Sequence, residues 1–297
     1  MNQEFLIWQK TCLARVDAFL AKILYCSKPS LTGFFEGMHY ASIDGGKRIR
    51  AMLTFASGAY LNVPEAELDI YASAIESVHA FSLVHDDLPA MDNDTLRRGK
   101  PTCHVAFGEG IAILVGDALF SEAFSMLSGT MTPHFNSLKR LKMLNILARK
   151  SGPAGMVSGQ YLDLKSEKQQ LTLEELLCLH QMKTGALIEA TIELPLVYAE
   201  PAESVATTLQ NFSKTIGLIF QIQDDILDVK KTSEELGKTA GKDEQSEKST
   251  FPRLLGLDGA AQFLNEKLDK AKALLDTLPG DPHFLNLVFE YIREREY

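Results

Sequence analysis

The 297-residue sequence is poor in the residues that would stabilise a small secreted protein or hold a zinc ion. Only four cysteines occur, far apart, with no CxxC pair and no Cys/His cluster at zinc spacing: Cys12, Cys26, Cys103 and Cys178. This distribution disfavours a disulfide framework and predicts a reducing, cytoplasmic location. The N-terminal residues also lack the basic start and sustained apolar core of a signal peptide.

Long apolar runs are missing as well, and basic residues are in the minority. The longest apolar candidate, residues 111–120, is interrupted by Gly116 and Asp117, so no membrane span is predicted. Lys and Arg number 30 against 39 Asp and Glu, a formal net charge of −9. The acidic excess disfavours a nucleic-acid partner. It does not exclude a small polyanionic substrate, because the charges of the local binding site, and not the net charge of the chain, determine whether such a substrate binds.

The sequence also lacks the alternation of apolar and polar residues that is typical of β-strands. Apolar residues recur at helical spacing along most of the chain, as in residues 71–85 and 212–227, which predicts helices. Breaks in this pattern, most of which contain proline or glycine, divide the sequence into roughly ten helices. No break is long or low-complexity enough to be an interdomain linker. The sequence therefore predicts a single all-α domain over residues 1–297.

Two aspartate clusters follow apolar helical segments: Asp86-Asp87-Leu-Pro-Ala-Met-Asp92 and Asp224-Asp225-Ile-Leu-Asp228. Carboxylates at a helix C-terminus are unfavourable because the helix dipole places partial negative charge there, and adjacent carboxylates repel one another. One such cluster is equally well explained as a solvated helix end. Two of them favour a bound cation, and carboxylate oxygens suit Mg²⁺.

Basic residues near the first cluster and near the N-terminus could bind an anion. Arg97 and Arg98 offer forked donors to phosphate oxygens, or else they neutralise the aspartates. Lys47 and Arg50 begin a helix after two glycines. Such a helix start suits an anion, although an ordinary exposed helix start explains it as well.

Polar residues interrupt three otherwise apolar segments: His79, Lys183-Thr184 and Gln221. A buried polar side chain needs a partner, and each of these could face a ligand, although a lone histidine is more often a core residue. The polar loop at residues 237–250 carries Lys238 and Lys248. It is either a solvated segment or a lid over bound phosphate.

Together the motifs resemble those of the trans-isoprenyl diphosphate synthases, the polyprenyl synthetase family, in order and approximate spacing from about residue 44 to 255. They are Gly45-Gly46-Lys47-Arg48-Ile-Arg50, the first aspartate cluster with Leu96-Arg97-Arg98-Gly99-Lys-Pro101-Thr102, Gly159-Gln160-Tyr-Leu-Asp163, Lys183-Thr184-Gly185, Gln221 with the second cluster, and Gly237-Lys238 with Lys248-Ser-Thr-Phe-Pro252. The first cluster, with two extra residues before Asp92, is most similar to the bacterial farnesyl-type subgroup.

The resemblance implies an isoprenoid synthase helical bundle around a central cavity, a homodimer, and Mg²⁺-dependent joining of an allylic diphosphate to isopentenyl diphosphate. It implies about three Mg²⁺ ions, bound by Asp86, Asp92 and Asp224, with Asp87, Asp163 and Asp228 as direct or outer ligands. The departing pyrophosphate is expected to take the proton lost from the product.

The resemblance also assigns the remaining polar residues to the two substrates. The allylic diphosphate would be held by Arg97, Lys183 and Lys238, with Lys248 in the same loop. Isopentenyl diphosphate would be held by Lys47, Arg50, His79 and Arg98. Thr184 and Gln221 would direct their dipoles at the carbocation, and with Lys183 they form the expected catalytic set.

Phe81 is the candidate for the residue that limits product length. It lies five residues before Asp86, about 7.5 Å along the helix axis, and could form a cavity floor, although phenylalanine on a buried helix is usually core. An aromatic residue here, followed by the small Ser82, is typical of the farnesyl-type subgroup. Farnesyl diphosphate is therefore the expected product, with geranylgeranyl diphosphate the alternative. The intact second aspartate cluster disfavours a class I terpene cyclase and a non-catalytic synthase subunit.

Overall fold

The computed structural model describes residues 3–43, 45–129, 136–167, 169–230 and 249–295, which are almost entirely helical. The α-helices of these ranges are α1 (Gln3–Ile23), α2 (Thr32–Ser42), α3 (Ile49–Tyr60), α4 (Glu65–Asp86), α5 (Cys103–Phe107), α6 (Glu109–Ser128), α7 (Ser137–Ser151), α8 (Met156–Lys165), α9 (Leu173–His180), α10 (Ala186–Ala199), α11 (Glu203–Lys230), α12 (Phe251–Asp276) and α13 (His283–Arg293). The predicted all-α class is confirmed.

Four short elements were not anticipated. Two antiparallel strands of two residues each, β1 (Leu96–Arg97) and β2 (Lys100–Pro101), form the loop after α4. A single π-helical turn, Gln181–Gly185, joins α9 to α10. π turns of this kind are frequent at functional sites, and this one contains the Lys183-Thr184 pair. A 3₁₀ turn, Pro29–Leu31, precedes α2.

Helices α4 and α10 form the centre of the bundle. Residues 67–78 of α4 and 186–196 of α10 are buried almost without interruption, so neighbouring helices surround both stretches. α6 and α3 pack on α4, while α7 and α11 pack on α10. The C-terminal end of α4 and the turn before α10 are thereby held beside one another.

The glycine motif before α3 contains one arginine that is part of the core. Arg48 is 6% exposed and donates to Glu76 at 3.2 Å and to Asp17 at 2.6 Å. Its backbone is left-handed, with a φ of 50°. These ion pairs hold the turn that carries Lys47 and starts the helix of Arg50.

Helix α6 is the one helix in the described ranges with the length and apolarity to cross a membrane, and 39% of its apolar window is buried. A single helix of this kind is weak evidence for a membrane span, because core helices of globular proteins have the same composition. Its side toward α4 is packed, and its other side exposes Ile111, Ile113 and Leu114.

Candidate active site

The first aspartate cluster forms a compact turn at the end of α4. The helix ends at Asp86, and the loop returns so that the Asp92 backbone N–H donates to the Asp86 carbonyl at 2.9 Å. Pro89 explains the end of the helix at this point. Burial, together with the nearby Asp92, raises the pKa of Asp86 to about 6, against the opposing effect of Lys183. A cation would relieve this concentration of negative charge.

Asp87 faces the other way and binds Arg97. The Arg97 guanidinium donates to both Asp87 carboxylate oxygens at 2.6–2.9 Å, and the Asp87 side chain is buried. Burial raises the pKa of Asp87, although Arg97 opposes the shift. A forked pair of this kind is geometrically specific, so Asp87 orients Arg97 on strand β1.

A cavity of about 410 Å³ opens beside Asp86. Its walls are mostly apolar; the lining comprises Arg50, His79, Phe81, Ser82, Leu83, His85, Asp86, Met91, Met156, Val157, Gln160, Tyr161, Leu164, Lys183 and Thr184. The ring of Phe81 packs against Phe120 of α6, with 4.8 Å between centroids. Phe81 is therefore both a wall of the cavity and a contact to the bundle behind it.

The residues expected to bind isopentenyl diphosphate lie along α3, α4 and the strand loop. Arg50 donates to the His79 Nε2 at 3.3 Å. Burial and the neighbouring Arg50 hold the pKa of His79 well below its ordinary value, so the ring is neutral. The Arg98 side chain lies against the glycine turn, where a Cβ at Gly45 would come within 2.3 Å of it. Lys47 is half-buried on the same turn.

The π turn carries Lys183, one of the basic residues expected to bind the allylic diphosphate. Lys183 donates to Asp163 of α8 at 2.6 Å, so the predicted aspartate of the Gly-Gln motif anchors a lysine in this structure. Gly159 makes the close approach possible, because a Cβ there would lie 2.1 Å from the Lys183 backbone nitrogen. Gln160 lines the same cavity; both polar atoms of its amide are buried, and neither has a hydrogen-bond partner in the described ranges.

The second aspartate cluster lies on the last turns of α11. Asp224 accepts from Arg295 at 2.6 Å. Asp225 is buried and accepts from the Gln221 amide at 2.9 Å, whereas Asp228 is half-buried. Burial lowers the pKa of Arg50, and the nearby carboxylates of Glu76 and Asp224 oppose that shift. Arg50 thus links the cavity to the second cluster.

The carboxylates fit a hard divalent cation. Asp86, Asp92 and Asp224 present oxygen donors, the ligands that Mg²⁺ prefers, and the raised pKa of Asp86 reflects charge that a cation would compensate. In the described ranges, no three His, Cys, Asp or Glu side chains form a metal-binding group by themselves.

Two of the predicted binding residues, Lys238 and Lys248, lie outside the described residues. Arg295, just after α13, was missed by the sequence reasoning, although it contacts Asp224 and lies over the Phe220 ring at 4.2 Å. A basic residue near the C-terminus was the only available signal, and sequence distance gave no reason to pair it with the second cluster.

The bundle and its cavity have close counterparts among solved structures. An FPP/GFPP synthase from Zymomonas mobilis aligns over 98% of this chain and 100% of that chain, with a TM-score of 0.89 and 34% identity. A geranyltransferase from Helicobacter pylori, solved with magnesium and isoprenyl diphosphate, aligns over 99% of both chains, with a TM-score of 0.85 and 32% identity. Fold and site therefore define an isoprenyl synthase of the all-α class.

Sequence comparison gives the particular family. The chain belongs to the Polyprenyl synthetase family, whose profile matches residues 33–277. A farnesyl diphosphate synthase of Haemophilus influenzae is 46% identical over 269 residues, 90% of each chain. The farnesyl diphosphate synthase of Escherichia coli is 42% identical over 290 residues, 96% of this chain and 97% of that one. The predicted family is confirmed.

Proposed function

We propose that this prenyltransferase condenses dimethylallyl diphosphate, and then geranyl diphosphate, with isopentenyl diphosphate to give farnesyl diphosphate and pyrophosphate. The observation that carries this assignment is the cavity, which is lined by Asp86 and Lys183 together with the ring of Phe81. An allylic substrate with its diphosphate beside Asp86 and Lys183 would extend its tail toward that ring.

Mg²⁺ is the metal that the donor set fits, with about three ions expected from the family resemblance. We assign Asp86, Asp92 and Asp224 as direct ligands; Asp87, Asp163 and Asp228 would act from outside them. The ion pairs of Asp87 with Arg97 and of Asp163 with Lys183 support an outer position for these two carboxylates. When bound, the metal would act as a Lewis acid that neutralises the leaving diphosphate.

The basic side chains would divide between the two diphosphates. Lys183 at the cavity and Arg97, oriented by Asp87, would hold the allylic diphosphate, together with Lys238 and Lys248. A second group, from α3 and the turn before it, α4 and the strand loop, would hold isopentenyl diphosphate: Lys47, Arg50, His79 and Arg98. Fixed positive charge placed where negative charge develops lowers the barrier to C–O cleavage.

Carbocation chemistry requires a dry cavity with few nucleophiles. The apolar wall supplies this, and the Thr184 hydroxyl and Gln221 amide supply fixed dipoles. Loss of the allylic C–O electron pair to the leaving diphosphate generates the cation, and the double bond of isopentenyl diphosphate attacks it. The proton released from the adduct passes to the departing pyrophosphate, since no described side chain in the cavity is placed as an obvious base.

We also propose a cytoplasmic homodimer, in which the exposed face of α6 packs on a second copy of the chain. Ile111 and Leu114 are 38% and 53% exposed and lie one turn apart, so together they form an apolar stripe. Leu114→Glu should convert the dimer to a monomer in sedimentation velocity experiments. Leu257→Glu, a change at an exposed leucine of α12, is the matched control and should leave the dimer intact.

The assay incubates purified protein with Mg²⁺, dimethylallyl diphosphate and isopentenyl diphosphate, and identifies the products by chromatography. Farnesyl diphosphate is the expected product, and geranylgeranyl diphosphate would establish the longer-chain alternative. Hydrocarbons from the allylic substrate alone would overturn the synthase assignment. Asp86→Asn should lower kcat by at least about 100-fold, whereas Asp258→Asn, at an exposed carboxylate of α12, should leave it unchanged.

A further inference from the structure

Asp225 occupies a buried position on α11, where its carboxylate oxygens accept hydrogen bonds of different kinds. Its side chain is almost fully buried. One oxygen accepts from the Gln221 Nε2 at 2.9 Å, and the other accepts from the backbone N–H of Phe251, the first residue of α12, at 3.0 Å. The same Gln221 accepts from the Thr184 hydroxyl at 3.0 Å through its Oε1.

The donors and acceptors along this chain of hydrogen bonds can be arranged in only one order. An ionised carboxylate can only accept, so the Gln221 side chain must turn its NH₂ group toward Asp225. Its carbonyl oxygen then faces Thr184, whose single hydroxyl proton is used in donating to that oxygen. The Thr184 hydroxyl, which lines the cavity, is left with lone pairs to present to whatever occupies it.

The backbone around Thr184 is built to keep this contact short. Thr184 lies in the π turn, and the turn approaches α11 so closely that a Cβ at Gly217 would lie 2.8 Å from the Cα of Gly185. The distance from Thr184 to Gln221 is therefore set by backbone packing. The orientation of the amide is set by Asp225.

We propose that Asp225 is a positioning residue for the prenyl-transfer step: its carboxylate orients the Gln221 amide, and the Thr184 hydroxyl thereby directs its lone pairs at the allylic carbocation. The proposal rests on the proposed function. It separates the two neighbouring aspartates by role, since Asp224 faces the cations and Asp225 faces the protein interior. Asp225 itself touches neither substrate.

The isosteric variant Asp225→Asn isolates the orientation of the amide. Its remaining oxygen can still accept from the Phe251 N–H, but its new NH₂ group faces Gln221 and reverses that amide, so that the Thr184 proton turns toward the cavity. We expect kcat for farnesyl diphosphate formation to fall about 10- to 100-fold, while KM for both substrates stays within about twofold of the wild type.

Thr172→Ala is the control for a purely structural effect. The Thr172 hydroxyl caps α9 by accepting from the Glu175 N–H at 3.3 Å, and α9 leads directly into the π turn that carries Thr184. This variant should lower the melting temperature and leave kcat at 25 °C within about twofold of the wild type. An equal loss of kcat in Thr172→Ala and Asp225→Asn would overturn the proposal, as would an Asp225→Asn enzyme with wild-type kcat.

A double variant supplies the second test. In Gln221→Glu combined with Asp225→Asn, the carboxylate at 221 can accept from both Thr184 and the amide at 225, which restores the original direction. The double variant should be more active than either single variant; losses that simply multiply would contradict the proposal. A wild-type protein that makes no farnesyl diphosphate would instead refute the proposed function.

Discussion

The guanidinium of Arg295 donates to the carboxylate of Asp224 across 2.6 Å, which joins the residues after the last helix to the second aspartate cluster. The same guanidinium lies over the ring of Phe220, one turn earlier on α11. A cation that binds Asp224 would have to compete with this ion pair. Once released, Arg295 would add its charge to that of the nearby Arg50.

Arg295→Met should therefore change two properties in opposite directions. Removing the competing guanidinium should lower the Mg²⁺ concentration needed for half-maximal activity, and losing a donor beside Arg50 should raise KM for isopentenyl diphosphate about tenfold. Steady-state kinetics with each component varied in turn measures both. Arg293→Met, at an exposed arginine paired with Glu290, should change neither. Unaltered constants in the Arg295 variant would show that the pair has no part in binding.

Phe81→Ala should lengthen the product. Removing the ring extends the cavity toward Phe120, whose centroid lies 4.8 Å from that of Phe81, and makes room for further isoprene units. Product chromatography should show geranylgeranyl diphosphate at the expense of farnesyl diphosphate. Phe107→Ala, which removes a ring that packs on Tyr40 instead of lining the cavity, should keep the original product. An unchanged product in Phe81→Ala would show that another residue limits chain length.

Gly159→Ala should destabilise the fold and impair turnover together. A Cβ at this position would lie 2.1 Å from the Lys183 nitrogen and 2.4 Å from its Cα, so α8 and the π turn must separate. Overpacking of this kind costs about 1–3 kcal/mol of unfolding free energy, measurable by urea denaturation. Gly110→Ala on α6 meets no atom within 4 Å and should be neutral or slightly stabilising. Equal stabilities of the two variants would be incompatible with this close contact.

His180 should make stability depend on pH. Burial lowers its pKa to about 3 from an ordinary value of 6.5, so the unfolded chain binds the proton first as the pH falls. The contribution to stability is complete above about pH 6.5 and is lost progressively toward pH 3. Between about pH 7 and pH 5.5 the wild type should lose about 1 kcal/mol more than His180→Gln, as measured by urea denaturation at both pH values.

His283→Gln is the control for that comparison, because the side chain of His283 on α13 is 43% exposed and pairs with Glu4 at the surface. It should retain the pH dependence of the wild type. Identical slopes for the His180 variant and the wild type would mean that the buried ring contributes nothing to the acid sensitivity of the fold.

Much of the site could be predicted because its residues come in short local motifs. The order of Asp86, Asp92, Arg97 and Arg98 depends on one helix end and the loop after it, which sequence spacing records directly. The helical character of most segments follows from apolar periodicity in the same way, although the breaks predicted roughly ten helices and the described ranges contain thirteen α-helices. The π turn at Gln181–Gly185 was not predictable, because a one-residue insertion in a helix leaves the apolar pattern nearly unchanged.

The sequence by itself determined the family, the all-α class and the identity of the motif residues, since each depends on residue type and local spacing. Only the tertiary structure decided which charged groups meet: Asp87 with Arg97, Asp163 with Lys183, and Asp224 with Arg295. Asp225 faces inward while its neighbour Asp224 accepts from Arg295, because adjacent residues of a helix point in different directions. What lies in each direction depends on the packing of α11 against distant parts of the chain.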